Sequence, residues 1–332
     1  LLQMVATTFT VAKSELPRIR RSNPAAEVGS FTLYYWKYLL TGKLATATLW
    51  GPLKNSLVCG FFTVLISVPL GAVLAWLIVR SDLPGKKLIG MLVVIPYMIP
   101  SWCKSMCWLA IFRNKTSGSL GFLEGLGLPI PDWLAYGPIA IVLCMSLHYY
   151  AFSYIQVSSA LRSINSELEE MGEICGAGKV QILKSITLPL VLPSILSAVV
   201  MTLSKSIGTY GVAANLGSRI GYFTLATKMK QFINGGPQSV GFAMSIILIC
   251  LAAFIIFSNQ RLVGVRKSYA TIGGKGGRSN EMKLGGAKVP LMGFIVIFLF
   301  FAMVAPMFVL VMETFQVTTG AGYGLKNLTT YY

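Results

Sequence analysis

The sequence predicts an all-α membrane protein, a polytopic bundle of helices that crosses the bilayer several times. Hydrophobic residues make up 55% of the chain and charged residues only 12%, whereas a soluble domain carries about 25% charged residues. Six stretches approach or exceed the ~20 apolar residues that a membrane-spanning helix needs. These stretches are residues 53–79, 88–112, 136–160, 188–211, 239–258 and 290–312.

Prolines interrupt several of these stretches, namely Pro69, Pro96, Pro100, Pro189, Pro193 and Pro306. Proline is tolerated in membrane helices because neighbouring groups satisfy the freed backbone atoms. Each stretch is therefore counted as one span, and an even number of spans places both chain ends on the same side of the membrane.

The formal net charge is +17, but the basic residues are scattered between apolar blocks. No basic stripe with interleaved aromatic residues is present, so nucleic acid is not a predicted partner. Basic residues beside spans meet anionic lipid headgroups instead. Lys and Arg are denser in the loops that share a side with residues 161–187, which predicts that this side is cytoplasmic.

Catalytic and metal chemistry have little support in the sequence. Five of the six cysteines lie in apolar stretches, which predicts small packing residues, and His148 is the single histidine. The glycine-rich segment 273–278 lacks the spacing of a phosphate-binding loop. We therefore predict no catalytic residue, no metal site and no cofactor.

A polar loop between two spans is the most informative segment. Four of the eleven carboxylates lie close together in it, at Glu167, Glu169, Glu170 and Glu173. Ser166 and Glu169 have the spacing of a helix capping box, and Gly176 and Gly178 permit a tight turn. The pattern predicts a short helical hairpin, which could be either a solvated interfacial helix or a docking element.

The loop resembles the EAA loop of permease subunits of type I ATP-binding-cassette (ABC) importers, whose pattern is roughly E-A-A-x-x-x-G-A, a spacer, and I-x-L-P. Both alanines of the first triplet are replaced, by Met171 and Gly172. The stretches 83–86, 95–100 and 269–278 also resemble segments of that family. The matching loop residues are Glu170, Met171, Gly172, Gly176, Ala177, Ile186, Thr187, Leu188 and Pro189.

The resemblance implies a helical bundle of the type I permease kind in the bacterial cytoplasmic membrane. It implies that residues 164–178 form a coupling helix, with Glu170 and Gly176 as central contacts to a cytoplasmic ATPase subunit. The implied partners are two such ATPase subunits, an extracytoplasmic solute-binding protein and a second permease module. The linker pattern resembles the tandem ferric-iron, polyamine and phosphonate branch, so the implied substrate is ferric iron or a solute of those kinds.

Similar short patterns near the two chain ends predict a tandem repeat in a longer protein. Thr-Phe-Thr-Val at 8–11 is matched by Thr-Phe-Gln-Val at 314–317, and Thr-Leu-Tyr-Tyr at 32–35 by Thr-Thr-Tyr-Tyr at 329–332. The predicted organisation starts with a first permease module at 1–258, whose first helix is expected to be largely missing and whose EAA loop lies at 161–187. A basic glycine-rich cytoplasmic linker at 259–288 and the first helix and outer loop of a second module at 289–332 are predicted to follow.

Two lysines, Lys104 and Lys205, lie inside apolar stretches, where a charge is costly and usually faces a cavity or a partner. They are candidates for the lining of a transport path, together with Thr209 and Tyr210; snorkelling or pairing within the bundle is the alternative. A secondary transporter driven by an ion gradient is the alternative function. It predicts carboxylates inside the spans, and the six stretches contain none.

Overall fold

The computed structural model describes residues 1–164, 167–264, 282–317, 327 and 329, and its regular structure is helical apart from two isolated β-bridges. The first three helices, which precede the first span, are α1 (Leu2–Phe9), α2 (Leu16–Arg20) and α3 (Tyr34–Thr41). The next six are α4 (Gly51–Arg80), α5 (Lys86–Met98), α6 (Ser101–Phe112), α7 (Phe122–Gly125), α8 (Asp132–Ala135) and α9 (Gly137–Ser163). The remaining helices are α10 (Glu167–Ile174), α11 (Lys179–Ile182), α12 (Leu188–Gly208), α13 (Gly211–Gly217), α14 (Leu225–Gly235), α15 (Gln238–Gly264), α16 (Lys288–Leu299) and α17 (Ala305–Thr314).

Five of the six predicted spans are confirmed as helical stretches long and apolar enough to cross a membrane. They are Thr46–Arg80, Gly137–Ser163, Lys179–Gly208, Gln238–Ser258 and Gly285–Thr314. The predicted span 88–112 is instead a broken pair, because α5 and α6 meet at an angle of 92°. Ile99 is extended immediately before Pro100 (φ −77°, ψ 127°), as expected because a proline ring disfavours the helical conformation of the residue before it.

Three of the spans contain a π turn, and each turn ends two residues before a proline. The turns are Thr46–Trp50 before Pro52, Leu183–Thr187 before Pro189, and Phe300–Val304 before Pro306. A proline ring clashes with the carbonyl four residues earlier in an α-helix, and the wider π turn accommodates that carbonyl. The spans therefore pass these prolines without breaking.

Among the described residues, the interior is made of three buried clusters. Leu74 and Tyr150 belong to a cluster that joins α4, α5, α9 and α16, near the end of the bundle that carries α10. Ile141 lies in a second cluster between α9 and α13. Leu39 and Met244 belong to a third cluster, which packs the N-terminal helices against α14 and α15.

The predicted packing role of the cysteines is confirmed only in part. Cys59, Cys107 and Cys144 are buried, but Cys250 is exposed. Cys250 lies on a face of α15 that no other described helix of this chain covers.

The last helical stretch packs against the rest of the bundle. Ile295 is fully buried, and the ring of Phe298 meets that of Tyr150 edge to face at 4.8 Å. An ion pair of 2.7 Å joins Arg113 to Glu313. This stretch, predicted to begin a second module, thus contributes to the core of the first; the second module itself remains a prediction.

Helices overlap both ends of the predicted linker 259–288, since α15 continues to Gly264 and the last helical stretch begins at Gly285. Residues 265–281, with the glycine-rich segment 273–278, lie outside the described residues. So do Ser166, the predicted helix cap, and most of the pattern at 329–332.

Candidate functional site

The acidic loop forms two short helices joined by a left-handed turn. At the end of α10 the Gly176 N–H donates to the Glu173 carbonyl at 2.9 Å, and the Ala177 N–H donates to the Gly172 carbonyl at 3.0 Å. This pair of hydrogen bonds is a Schellman motif. Gly176 adopts φ +82°, whereas Gly178 has φ −71°. The predicted hairpin is present, and only the first of its two glycines needs the left-handed conformation.

One side of α10 is free and largely apolar. Met171 is 62% exposed and Ile174 is 85% exposed, three residues apart on one helical face. Glu170 is exposed beside them, and Leu168, 40% exposed, lies at the edge of the face. We call Leu168, Glu170, Met171 and Ile174 the free face of α10.

The opposite side of α10 packs against the second arm of the hairpin. A methyl group placed on Gly172 would lie 3.1 Å from Ile186 Cδ1 and 3.2 Å from Ile182 Cγ1. Glycine at this position therefore permits a close approach of the two arms. Of the other predicted coupling residues, Ala177 is half-buried, and Leu188 and Pro189 are exposed at the start of α12.

Glu169 has a role that the sequence did not reveal. Glu169 is one of the four carboxylates of the acidic loop, and it is buried. Its carboxylate lies 3.2 Å from Arg80 Nη1 and accepts a hydrogen bond of 2.7 Å from the Thr187 hydroxyl. Helical periodicity offered one signal, because Glu169 and Gly172 share the face opposite to Ile174.

Arg80 connects this carboxylate to two spans. It is the last residue of α4, and its Nη2 donates to the carbonyls of Leu161 and Ile164, at 3.0 and 3.4 Å, where α9 ends. Thr187, the other partner of Glu169, directly precedes α12. A single buried cluster thus ties α10 to the ends of α4 and α9 and to the start of α12.

The segment that leads into the last span adjoins this cluster. A cleft of about 230 Å³ is lined by Arg80, Glu169, Glu173, Lys179, Met282 and Lys283, among others. Beside it, Met282 pairs with Ser81 in a parallel bridge. Asp82 bonds to Lys288 at 2.8 Å and accepts from the Leu284 N–H at 2.9 Å. The hydrogen bond from Lys288, followed by that from Leu284, lowers the pKa of Asp82 below its usual value of 3.8.

The second candidate region lies on α12, where Lys205 is exposed. Its ammonium donates to the Tyr97 hydroxyl at 3.0 Å and lies 4.6 Å from the ring centre of Phe152. One turn later the Thr209 hydroxyl donates to the Lys205 carbonyl and lies 2.7 Å from the Tyr149 hydroxyl. Tyr210 is 46% exposed next to Thr209.

Lys104 occupies a different environment from Lys205. It is 8% exposed, and its ammonium donates to the Leu147 carbonyl at 2.8 Å. It lines an apolar cavity of about 510 Å³ between α6, α9 and the last span, together with Trp108 and Phe301 among others. The two lysines that the sequence grouped together thus have different environments, one buried and one exposed.

The chain is similar to permease subunits of known transporters. It is 27% identical over 228 residues to the molybdenum transport system permease protein ModB of Escherichia coli (strain K12), covering 67% of this chain and 96% of that protein. It is 22% identical over 223 residues to the sulfate transport system permease protein CysT of Salmonella typhimurium (strain LT2), covering 67% and 76%. These relatives do not support the ferric-iron branch that the linker pattern implied.

The fold is also found in a crystal structure of a bacterial alginate ABC transporter in complex with an alginate pentasaccharide-bound periplasmic protein. The TM-score is 0.57 with 18% sequence identity, and the alignment covers 76% of this chain and 89% of that chain. This likeness confirms the predicted fold class of a helical permease bundle.

A family model described as "Binding-protein-dependent transport system inner membrane component" matches residues 56–266, more than half of the chain. The match confirms the predicted location in the bacterial inner membrane, with several spans, and the transport role. The predicted resemblance to type I ABC importer permeases is thereby confirmed, and the chain belongs to the family of binding-protein-dependent transport system inner membrane components.

Proposed function

We propose that the chain is the permease subunit of an ATP-driven importer and that α10 is its coupling helix. The free face of α10 carries this proposal, because Met171 and Ile174 present apolar surface away from the bundle. A short helix with one apolar face free suits a groove on a soluble partner. Glu170 supplies the carboxylate of this face, and an Arg or Lys of the groove can pair with it. Gly176 lies just beyond the end of the helix.

The buried side of α10 provides the route by which motion reaches the spans. When two ATPase subunits close on ATP, their grooves move and carry the docked helices with them. Glu169 holds α10 to Arg80 at the end of α4 and to Thr187 at the start of α12. A displacement of α10 is therefore delivered to those two helices directly.

The partners follow from this arrangement. One ATPase subunit docks on α10, and another docks on the corresponding helix of a second permease module. That second module covers the exposed side of α12. A solute-binding protein delivers the substrate at the opposite end of the bundle. We also propose that the second module belongs to the same longer chain, as the similar end patterns predict.

We infer a small divalent oxyanion, such as molybdate or sulfate, as the substrate. Two relatives that the chain resembles are molybdenum and sulfate permeases, and an exposed ammonium at Lys205 favours an anion over a ferric ion or a polyamine. Lys205, Thr209 and Tyr210 are the proposed lining of the path. Lys104, the fourth residue predicted there, is buried against α9.

The test is reconstitution of this permease in lipid vesicles with its ATPase and binding protein, followed by uptake of radiolabelled molybdate and sulfate. Uptake that requires both ATP and the binding protein is the expected result. Uptake that persists without the ATPase and follows an imposed ion gradient would instead support the secondary-transporter alternative. Import of ferric citrate or spermidine with no oxyanion uptake would overturn the substrate class alone.

A further inference from the structure

The ammonium of Lys205 lies beside residues of α5 and α9. It is 4.6 Å from the ring centre of Phe152 and 3.0 Å from the hydroxyl of Tyr97. Phe152 is near the middle of the 27-residue helix α9, and the Tyr97 ring packs against His148 of the same region at 5.1 Å. A lysine side chain leans toward the N-terminal end of its helix, so the charge is displaced from the end of α12 toward mid-membrane.

Lipid is an unfavourable environment for this face of α12. Among the described residues no carboxylate forms an ion pair with Lys205, and an unpaired charge at membrane depth is costly unless it borders water or a partner. The stretch Lys179–Gly208 is also peripheral in this chain. Only 22% of the residues in its most apolar segment are buried, compared with 67% for Gly137–Ser163. The exposed face beside Lys205 is therefore expected to border water or a partner.

The hydrogen-bonding inventory shows which groups are free to bind a ligand. An ammonium has three donors, and Lys205 uses one of them on the Tyr97 oxygen. Because that oxygen acts as the acceptor, the Tyr97 O–H can still donate. By contrast, the Thr209 hydroxyl is committed to the Lys205 carbonyl and the Tyr149 hydroxyl to Thr209. That second pair fixes the end of α12 and is not available for a ligand.

We infer that Lys205 and Tyr97 form a binding station for a tetrahedral oxyanion midway along the path. Two ammonium N–H groups and one phenolic O–H remain able to donate here, and they suit the oxygens of a molybdate or sulfate dianion. The Phe152 ring limits the hydration of the ammonium, which strengthens its attraction for the anion. This inference rests on the proposed importer function and adds the residues that select the anion.

The experiment compares variants in the reconstituted transporter, with labelled molybdate and sulfate taken up per ATP hydrolysed as the readout. Lys205→Gln should lower this ratio about tenfold, the effect of losing one charge-assisted hydrogen bond. Lys205→Arg should stay within about threefold of wild type because it retains the charge. Tyr97→Phe should cause a loss of about threefold, since it removes one neutral donor.

The matched control is Lys54→Gln, which removes an exposed lysine near the start of α4, and it should stay within about twofold of wild type. A Lys205→Gln transporter as efficient as wild type overturns the binding station while leaving the importer function intact. A loss that Lys205→Arg shares in full also overturns it, because charge would then not be the cause. If the wild-type transporter imports neither anion, the proposed substrate class fails, and the station with it, whereas the importer function is judged by the ATP dependence of uptake.

Discussion

The guanidinium of Arg80 and the carboxylate of Glu169 lie 3.2 Å apart, with 5% and 10% of their side chains exposed. The pair joins the end of a span to the helix that we propose as the coupling helix. A buried ion pair is strongly sensitive to the loss of one partner, because the remaining charge is left uncompensated.

Replacement of Glu169 by Gln should therefore destabilise the protein by about 3 kcal/mol, measured as a lower midpoint of thermal unfolding in detergent. Glu170→Gln, at the neighbouring exposed position, is the control and should change the free energy of unfolding by less than about 0.5 kcal/mol. The double variant Glu169→Leu with Arg80→Met should recover part of the loss, since no unpaired charge remains. Equal effects of the two single Gln variants would contradict the structural role of Glu169.

Substitutions on the free face should affect docking and leave the fold intact. Ile174 is 85% exposed, so Ile174→Glu should not alter thermal unfolding. If the residue fits an ATPase groove, the loss of its burial should weaken ATPase binding at least about tenfold. Pull-down of the ATPase by tagged permease measures this, with Ile174→Leu as the control. Undiminished binding and uptake in Ile174→Glu would remove α10 from the interface.

Charge reversal at Glu170, on the free face of α10, tests the coupling role itself. Glu170→Lys should insert into the membrane normally, yet uptake per ATP hydrolysed should fall, because a basic partner in the groove would now be repelled. Lys184→Glu reverses an exposed charge on the second arm and serves as a comparison. Normal uptake by Glu170→Lys would refute the predicted contact.

The turn that ends α10 offers a test of backbone conformation alone. Gly176 has φ +82° and Gly178 has φ −71°, and a methyl group on either would meet no atom within 4 Å. Gly176→Ala should cost about 1–2 kcal/mol, because an L-residue is disfavoured in the left-handed region, whereas Gly178→Ala should be close to neutral. Both are measured as shifts of the unfolding midpoint. Similar costs at the two positions would mean that the Schellman turn is absent in the protein.

The Asp82–Lys288 contact should give a pH dependence at acid pH only. The folded-state pKa of Asp82 is lowered below 3.8, so the contribution to stability is complete above the unfolded pKa and is lost as the pH falls through the folded pKa. The stability difference between wild type and Asp82→Asn should be constant from neutral pH to about pH 5 and should shrink below about pH 4. A difference that grows on acidification would contradict the assignment.

The sequence located the spans well because apolar length depends on composition and needs no knowledge of packing. It did not predict the 92° bend between α5 and α6, although Pro100 was visible, since proline in membrane helices is compatible with both continuation and a break. The choice between these outcomes depends on packing with other helices, and a hydropathy pattern carries no such information.

The candidate site was likewise predictable from the sequence only in part. The glycine turn at Gly176 was predictable, because a left-handed residue has a local signature. The burial of Glu169 and the different burial of Lys104 and Lys205 were not, because both depend on which helix lies alongside. Arg80, the partner of Glu169, is distant in sequence, and no local pattern connects the two.

The π turn at Leu183–Thr187 sets the direction in which α10 points. A π turn holds one residue more than an α turn, and each residue of an α-helix corresponds to about 100° of rotation about the axis. The π turn before Pro189 therefore rotates the hairpin about the axis of α12, relative to the position that an α turn would give it. Deleting one residue from this turn would rotate the hairpin about the axis of α12 by about a quarter of a circle. The direction in which the free face points therefore depends on one residue in this turn.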